Sequence, residues 1–197
     1  MALRIRALTP ESGLHDHTRD LAELRVRVFR DWPYLYDGDE AQEREYLQHF
    51  IHSDGAICIA AFDGETMVGA STGMPLAGEH KPIKAPFIAA GIGLDDIFYC
   101  AESVLLPEYR GRGLYRQFFE GRESHARRLG GFRTIAFCGV VRPDDHPLKP
   151  ADAEPLDAVW QHFGYTAEPS LVCTFTWKDV DQDEQTKKPL KFWLKAL

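Results

Sequence analysis

The sequence lacks several features that assign proteins to common functional classes. None of its apolar runs approaches the roughly 20 residues that a membrane-spanning helix needs. The opening residues, Met-Ala-Leu-Arg-Ile-Arg, contain no apolar signal core, so we expect a cytoplasmic protein rather than an exported one. There is no internal repeat and no low-complexity segment. The length of 197 residues fits one domain that spans residues 1–197.

An excess of positive charge is also missing. The chain has 23 Lys and Arg against 30 Asp and Glu, for a formal net charge of -7. Proteins dedicated to nucleic acids or to anionic membranes normally carry a basic surface, so we expect neither as a partner. A mildly acidic surface would suit a cationic amine, although many soluble proteins are acidic without such a reason.

Metal-binding and disulfide patterns are absent as well. There is no CxxC and no zinc-ribbon spacing among the four cysteines, Cys58, Cys100, Cys138 and Cys173. Each cysteine lies in an apolar, strand-like run, which predicts reduced thiols in the core. The His15-x-His17 and His49-x-x-His52 pairs lack a cysteine or carboxylate cluster at ligand spacing. We therefore expect surface histidines and no metal site.

What the chain does contain is an alternation of strand and helix patterns. Apolar periodicity and turn residues predict strands at 3–8, 56–62, 67–74, 97–106, 134–141, 171–177 and 189–197. Helices are predicted at 21–32, 39–51, 114–129 and 155–163, with Asp39 as an N-cap. Residues 77–93 predict an irregular loop or a short helix, 142–155 a loop, and 179–188 a charged connection. This order favours a mixed α/β sheet covered by helices.

The most informative stretch runs from Ser103 to Arg116 and reads Ser-Val-Leu-Leu-Pro-Glu-Tyr-Arg-Gly-Arg-Gly-Leu-Tyr-Arg. A strand ends, a short turn with two glycines follows, and a helix begins at once. The first N–H groups of a helix are unpaired, and glycines let a phosphate approach the backbone closely. Arg110, Arg112 and Arg116 add positive charge, so the turn suits a pyrophosphate.

Two better-known phosphate motifs do not match this turn. A GxGxxG dinucleotide fingerprint would need glycine at Arg116, and the P-loop pattern GxxxxGK[ST] is absent. A nucleotide-binding oxidoreductase is therefore disfavoured. From the glycines alone, an ordinary strand-to-helix turn with solvated arginines remains the alternative.

The stretch resembles the signature of the GCN5-related N-acetyltransferase (GNAT) superfamily. The family pattern [Gln/Arg]-x-x-Gly-x-[Gly/Ala] falls on Arg110, Gly113 and Tyr115. The element order fits the family across most of the chain, and residues 160–165 are similar to its last helix and the turn after it. The resemblance implies a mixed, mostly antiparallel central sheet flanked by helices, and it is compatible with a homodimer.

The resemblance further implies direct acetyl transfer from acetyl-CoA to a primary amine of a small molecule or peptide. Acetyl-CoA would be the co-substrate, with its pantetheine arm along Ser103, Val104 and Leu105 and its pyrophosphate on Arg110, Gly111, Arg112, Gly113, Leu114, Tyr115 and Arg116. A backbone N–H near residues 103–105 would polarise the thioester carbonyl. A carboxylate would take a proton from the amine.

Two residues depart from the family pattern. Tyr115 replaces a small residue, so its ring has to point away from the pyrophosphate. Trp160 stands four residues before Gly164, where many relatives carry the tyrosine that protonates the departing thiolate. An indole N–H does not titrate usefully, so the general acid is unidentified. This departure lends weight to an alternative function, a non-catalytic acyl-CoA-binding or sensing module.

Glu102 is the first candidate for the base, because it is an acid inside an otherwise apolar strand. The alternatives are a solvent-facing or ion-paired Glu102, or a base at Asp95 or Asp96. Tyr99 is a candidate for the missing acid, although a packed core aromatic is the simpler interpretation. A β-bulge between Tyr99 and Glu102 would be needed to bring both to one site.

Two further segments are candidates for substrate contact. Trp32, Tyr34 and Tyr36 follow the first helix, where the resemblance implies the acceptor pocket; an aromatic plug on the core is the alternative. Residues 144–146, Asp-Asp-His, follow the fifth predicted strand at the sheet edge expected to hold the donor. A solvated loop is the simpler interpretation of this segment.

Overall fold

The chain folds around an eight-stranded sheet in a computed structural model that describes residues 3–197. The strands are β1 (Leu3–Leu8), β2 (Ile57–Asp63), β3 (Thr66–Pro75), β4 (Ile97–Tyr99), β5 (Ser103–Leu105), β6 (Thr134–Val140), β7 (Thr166–Lys178) and β8 (Gln185–Ala196). Their order is β1-β2-β3-β4-β6-β8-β7, and β5 also pairs with β3. Neighbours are antiparallel except for β4 and β6, which confirms the predicted fold class.

Five α-helices accompany the sheet. They are α1 (Thr18–Phe29), α2 (Glu40–Ile51), α3 (Lys81–Ala89), α4 (Leu114–Leu129) and α5 (Asp157–His162). The Asp39 carboxylate accepts hydrogen bonds from the backbone N–H groups of Ala41 at 2.9 Å and Gln42 at 3.0 Å, which confirms its role as the α2 cap. None of the helices in residues 3–197 combines the length and the apolar composition that crossing a bilayer requires.

The core consists of two clusters of buried side chains. The larger cluster joins α1, α2 and α4 to strands β1, β2 and β3, and the smaller joins α3 to β4, β6, β7 and β8. All four cysteines are buried and free, as predicted. Burial of these apolar faces is the main favourable term in folding.

The structure refines three predicted segments. Residues 81–89 form a nine-residue helix, so the short helix, one of the two alternatives predicted for residues 77–93, is the one observed. Strand β7 begins at Thr166 and β8 at Gln185, so the predicted connection 179–188 shrinks to a turn. The outer half of this hairpin is polar, and its strands are stabilised by pairing with each other rather than by apolar alternation.

The third segment matters for the site, because the predicted strand 97–106 is split in two. Strand β4 pairs in parallel with β6, and the bond from Cys100 N to Ala136 O, at 2.7 Å, continues that contact. Strand β5 pairs with β3 instead, through the register Ala70 to Val104. Residues 100–102 form the break between the two strands. A gap therefore opens between β5 and β6.

A buried ion cluster holds the segment after α1 against the end of β7. Arg142 donates to both Asp179 oxygens, at 2.7 and 2.9 Å, and to the carbonyl of Pro33 at 2.8 Å. The Lys188 Nζ lies 3.2 Å from the same Asp179 carboxylate, whose side chain is fully buried. This cluster stabilises the backbone of residues 33–34 next to the gap between β5 and β6.

Protonation of Asp179 should weaken this cluster. Burial opposes its ionisation, but hydrogen bonds from Arg142 and Lys188 outweigh burial and hold the Asp179 pKa below its ordinary value of 3.8. The stability that Asp179 contributes is therefore present above that value and is lost as the pH falls through the lower folded-state pKa. We expect Asp179→Asn to lower Tm by several degrees at pH 7 and to flatten the dependence of Tm on pH below 4.

Circular dichroism melts between pH 3 and pH 7 measure this effect. Asp144→Asn is the matched control, because the Asp144 side chain is fully exposed in its pair with Lys149. Equal melting curves for the two variants would contradict a stabilising role of the cluster.

Candidate functional site

A solvent-open cleft of about 540 Å³ follows the gap between β5 and β6. Its walls come from both sides of the split sheet and from the helices next to it. Among the residues that line the cleft are Glu102 and Ser103 near β5, Tyr115 and Arg122 from α4, Gly139 from β6 and Trp160 from α5. A cleft at the point where two strands diverge is a common place for a ligand.

The β5 edge that faces the cleft carries backbone groups that are not paired with β3; one of them, the Leu105 carbonyl, accepts a hydrogen bond from Arg110 Nε at 3.4 Å. The Leu106 N–H bonds to the Val68 carbonyl at 3.0 Å on the β3 side. Backbone bonding alternates along an antiparallel strand, so Val104 also points to β3, and Ser103 and Leu105 point the other way. An extended ligand with amide groups can bind to such an edge as an added strand.

The glycine turn lies at the start of α4 and has the form predicted for an anion site. Gly111 and Gly113 have φ values of 72° and 74°, in the left-handed region that favours glycine. A Cβ at either position would meet open space. Among the described residues, no side chain caps α4 at Gly113, so its first N–H groups are free to bind an anion. The side chains of Arg110, Arg112 and Arg116 are exposed around the turn.

Tyr115 and Trp160, the two departures from the family pattern, contact each other inside the cleft. The Trp160 Nε1–H donates to the Tyr115 hydroxyl at 3.1 Å. Tyr115 has an ordinary negative φ, and its ring points into the cleft. Gly139 makes room for the indole, because a Cβ there would lie 2.7 Å from the Trp160 Cη2. The hydroxyl of Tyr115 is thus held beside Trp160 in the wall of the cleft.

Glu102 lies at the cleft and is 8% exposed. Its Oε2 accepts a hydrogen bond from Arg25, which also donates to Glu43. In the described part of the chain, nothing hydrogen-bonds to its other oxygen, Oε1. One oxygen of Glu102 is therefore ion-paired, which was one of the alternatives predicted from the sequence. The other oxygen has no protein partner and is available to a ligand.

Tyr99 lies elsewhere. It packs in the smaller core cluster, its hydroxyl contacts the Cys138 sulfur at 3.1 Å, and burial raises its pKa. Its side chain is not part of the cleft wall. The strand break thus brings Glu102 to the cleft and leaves Tyr99 in the core.

The remaining sequence candidates are spread over the surface. Asp95 and Asp96 precede β4, and Asp96 pairs with Arg133 there, away from the strand break. The segment 144–146 is largely exposed, although the His146 ring contacts Trp32 with centroids 5.4 Å apart. Tyr34 does line the cleft.

Within residues 3–197, no group of three or more His, Cys, Asp or Glu is arranged to hold a metal.

Two buried arginines were missed by the sequence analysis. Arg25 forms the pairs described above, and Arg122 donates to the Glu102 carbonyl at 3.3 Å. Arg122 is 2% exposed, and in residues 3–197 it has no ion pair within 4.0 Å. The sequence did contain a signal for both arginines. Each lies four positions after a buried apolar residue of its own helix, Leu21 in α1 and Phe118 in α4, which places it on the apolar face.

Comparison with solved structures gives the fold a precedent. An acetyltransferase of the GNAT family from Streptococcus pneumoniae is 14% identical, with both chains covered completely and a TM-score of 0.59. Ribosomal-protein-alanine N-acetyltransferase from Brucella melitensis is 13% identical over 98% of this chain and 99% of that one, with a TM-score of 0.61. Arabidopsis thaliana NAA60 in complex with acetyl-CoA is 13% identical over 100% and 99%, with a TM-score of 0.63.

The chain has the GNAT acetyltransferase fold. The fold that the resemblance implied is thus confirmed by structures that cover 98–100% of the chain. No protein-family model matches the sequence, and no curated protein does. At identities of 13–14%, these likenesses concern the fold.

The ion cluster of Arg25, Glu43 and Glu102 should be essential to the folded state. Removing one partner of a buried ion pair leaves charges without compensation and typically costs about 3–5 kcal/mol. We expect Arg25→Ala to lose about that much free energy of unfolding, measured by urea denaturation. Arg19→Ala is the control on the same helix, since Arg19 is 72% exposed, and it should change little. Similar midpoints for both variants would refute the assigned role.

Proposed function

We propose that this protein is an acetyl-CoA-dependent N-acetyltransferase that acts on a primary amine of a small molecule or peptide. The observation that carries the proposal is the β5 edge at Ser103 in the wall of a cleft that reaches Tyr115, two residues after an uncapped glycine turn. These are the two backbone features that the pantetheine and pyrophosphate parts of acetyl-CoA require. The acetyl-CoA complex of NAA60, which has the same fold, supports this choice of donor.

The donor site would use backbone groups more than side chains. The turn at residues 110–116 would bind the pyrophosphate through N–H groups, with the three exposed arginines adding positive charge. Ser103 and Leu105 would bind the pantetheine amides along the β5 edge. One of these N–H groups would also stabilise the oxygen of the tetrahedral intermediate.

The proton transfers would fall to Glu102 and Tyr115. The free Oε1 of Glu102 takes a proton from the ammonium form of the amine, and the lone pair of the neutral nitrogen then attacks the thioester carbonyl. The carbon–sulfur bond breaks, and the leaving thiolate receives a proton from Tyr115, which regains one from the acylated nitrogen through solvent. The buried guanidinium of Arg122 stabilises the negative charge while it develops. Tyr99 is placed less well for the acid role, since its hydroxyl contacts Cys138.

Turnover separates this proposal from a non-catalytic acyl-CoA-binding module. The binding module was favoured because Trp160 cannot act as a general acid. The Tyr115 hydroxyl, which accepts a hydrogen bond from Trp160, can donate the proton instead. Release of free thiol from acetyl-CoA with a panel of primary amines supports the enzyme. Binding of acetyl-CoA without thiol release would support the module.

Substitution of Gly113 tests the donor site. Acetyl-CoA should raise Tm of the native protein, because a ligand that binds the folded state stabilises it. Gly113→Val should abolish this shift, since valine strains a backbone with φ of 74° and places methyl groups where the phosphate would lie. Gly131→Val is the matched control, with φ of 82° in the turn after α4. Loss of the shift in both variants, or in neither, would refute the assigned site.

Substitution of Tyr115 tests the proton donor. Burial raises the Tyr115 pKa, and the hydrogen bond from Trp160 lowers it in part, so the phenol stays protonated through neutral pH. We expect Tyr115→Phe to lower kcat about 100-fold with little change in the Kd of acetyl-CoA, the size typical of a lost general acid. The control is Tyr165→Phe, whose buried hydroxyl contacts Glu123 at 3.3 Å away from the cleft. An unchanged kcat in Tyr115→Phe would eliminate this role.

A further inference from the structure

A second, smaller cavity shares Ala101 and Glu102 with the cleft. Its interior is small, about 10 Å³ for the centre of a water-sized group, so it has room for one such group. The rest of its wall comes from α2, β3 and the segment that leads into α3, and includes Tyr46, His49, Thr72, Glu79 and His80. A group bound here would therefore lie next to the strand break that separates β4 from β5.

Two buried polar atoms of this cavity have no partner. Nothing in residues 3–197 hydrogen-bonds to the Thr72 hydroxyl or to Oε1 of Glu102. Thr72 is fully buried and Glu102 is 8% exposed. A buried polar group without a partner costs about 1–3 kcal/mol, so such groups usually mark a bound water or ligand. The carboxylate oxygen of Glu102 can only accept, and the Thr72 hydroxyl can accept as well as donate, so a ligand that donates satisfies both.

The cavity is also rich in negative charge. Glu79 is 5% exposed, and in the described chain it has no ion pair within 4.0 Å; its carboxylate accepts the backbone N–H of His80 at 2.9 Å. Arg25 is shared by Glu43 and Glu102, so one cation faces two carboxylates. The nearby Lys84 directs its amino group to the carbonyl of Ala77 at 3.0 Å. A cation in this cavity would therefore supply compensation that the protein itself does not.

We propose that this cavity binds the ammonium head of the acceptor, which makes a cationic primary alkylamine the preferred substrate class. An ammonium group has three N–H donors, and the cavity offers three acceptors in Thr72, Glu102 and Glu79. The inference rests on the proposed acetyl transfer, and it adds the site and the charge of the acceptor.

The position of the cavity is consistent with the chemistry. The ammonium gives one proton to the free Oε1 of Glu102, the base of the proposed acetyl transfer, while Glu79 accepts a hydrogen bond from the same nitrogen. The resulting neutral nitrogen lies beside Ala101 and Glu102, which also line the donor cleft. The nitrogen can then attack the thioester across the strand break without leaving its site.

Calorimetric titration with n-hexylammonium chloride tests this proposal without any turnover. Hexan-1-ol is the neutral match, and it should bind at least tenfold more weakly than the cation. We expect Glu79→Gln and Thr72→Val each to weaken hexylammonium binding roughly tenfold, the effect of a lost hydrogen bond to a charged group. Both substitutions preserve side-chain size, and melting curves of the free variants check their folding. Glu45→Gln, an exposed position on α2, is the control and should bind as the native protein does.

The results separate this inference from the proposed function. Equal binding of hexan-1-ol, or undiminished hexylammonium binding in both variants, overturns the ammonium site even if acetyl-CoA is bound and consumed. If the native protein shows no acetyl-CoA shift and releases no thiol, acetyl transfer fails, although hexylammonium binding can still be measured. With turnover, Glu79→Gln should raise the KM of n-hexylamine about tenfold and leave the acetyl-CoA shift intact; an unchanged KM would overturn the site.

Discussion

Glu102 holds the central sheet open, and the rest of the site depends on that contact. Its carbonyl accepts hydrogen bonds from the Thr72 N–H at 3.1 Å, the Ser71 hydroxyl at 3.0 Å and Arg122 at 3.3 Å. Its carboxylate is bound by Arg25. These contacts attach residues 100–102 to β3 and to two helices, so the chain cannot continue as a straight strand beside β6. All of them are buried, where unmade hydrogen bonds are costly.

This divergence produces the cleft and the smaller cavity, which meet at one peptide segment, Ala101 and Glu102. On the β6 side, the separation exposes a strand edge and leads to the uncapped start of α4. On the α2 side, the same residues form one wall of the acidic cavity. An enzyme that joins an amine to an acyl group needs its two substrates on either side of one reacting carbon. The break in the sheet allows this without a moving part.

Features that depend on near neighbours could be predicted from the sequence. Helix α4 has the predicted bounds, because its apolar period ends at two glycines. The Asp39 cap also follows from contacts within a few residues. The missed features depend on distant partners. Strand β8 begins with polar residues that are ordered by pairing with β7, and the long fourth strand is broken by helices that pack on it.

The sequence by itself determined the glycine turn, the order of elements and the presence of an acid in the fourth strand, because these follow from local propensity and periodicity. The tertiary structure decided which side chains meet. Arg25 lies 77 residues from Glu102, and Tyr115 lies 45 residues from Trp160. Neither pairing leaves a periodic signal in the chain, since each depends on how α1, α4 and α5 pack around the split sheet. The acidic cavity arises in the same way, from α2, β3 and the start of α3.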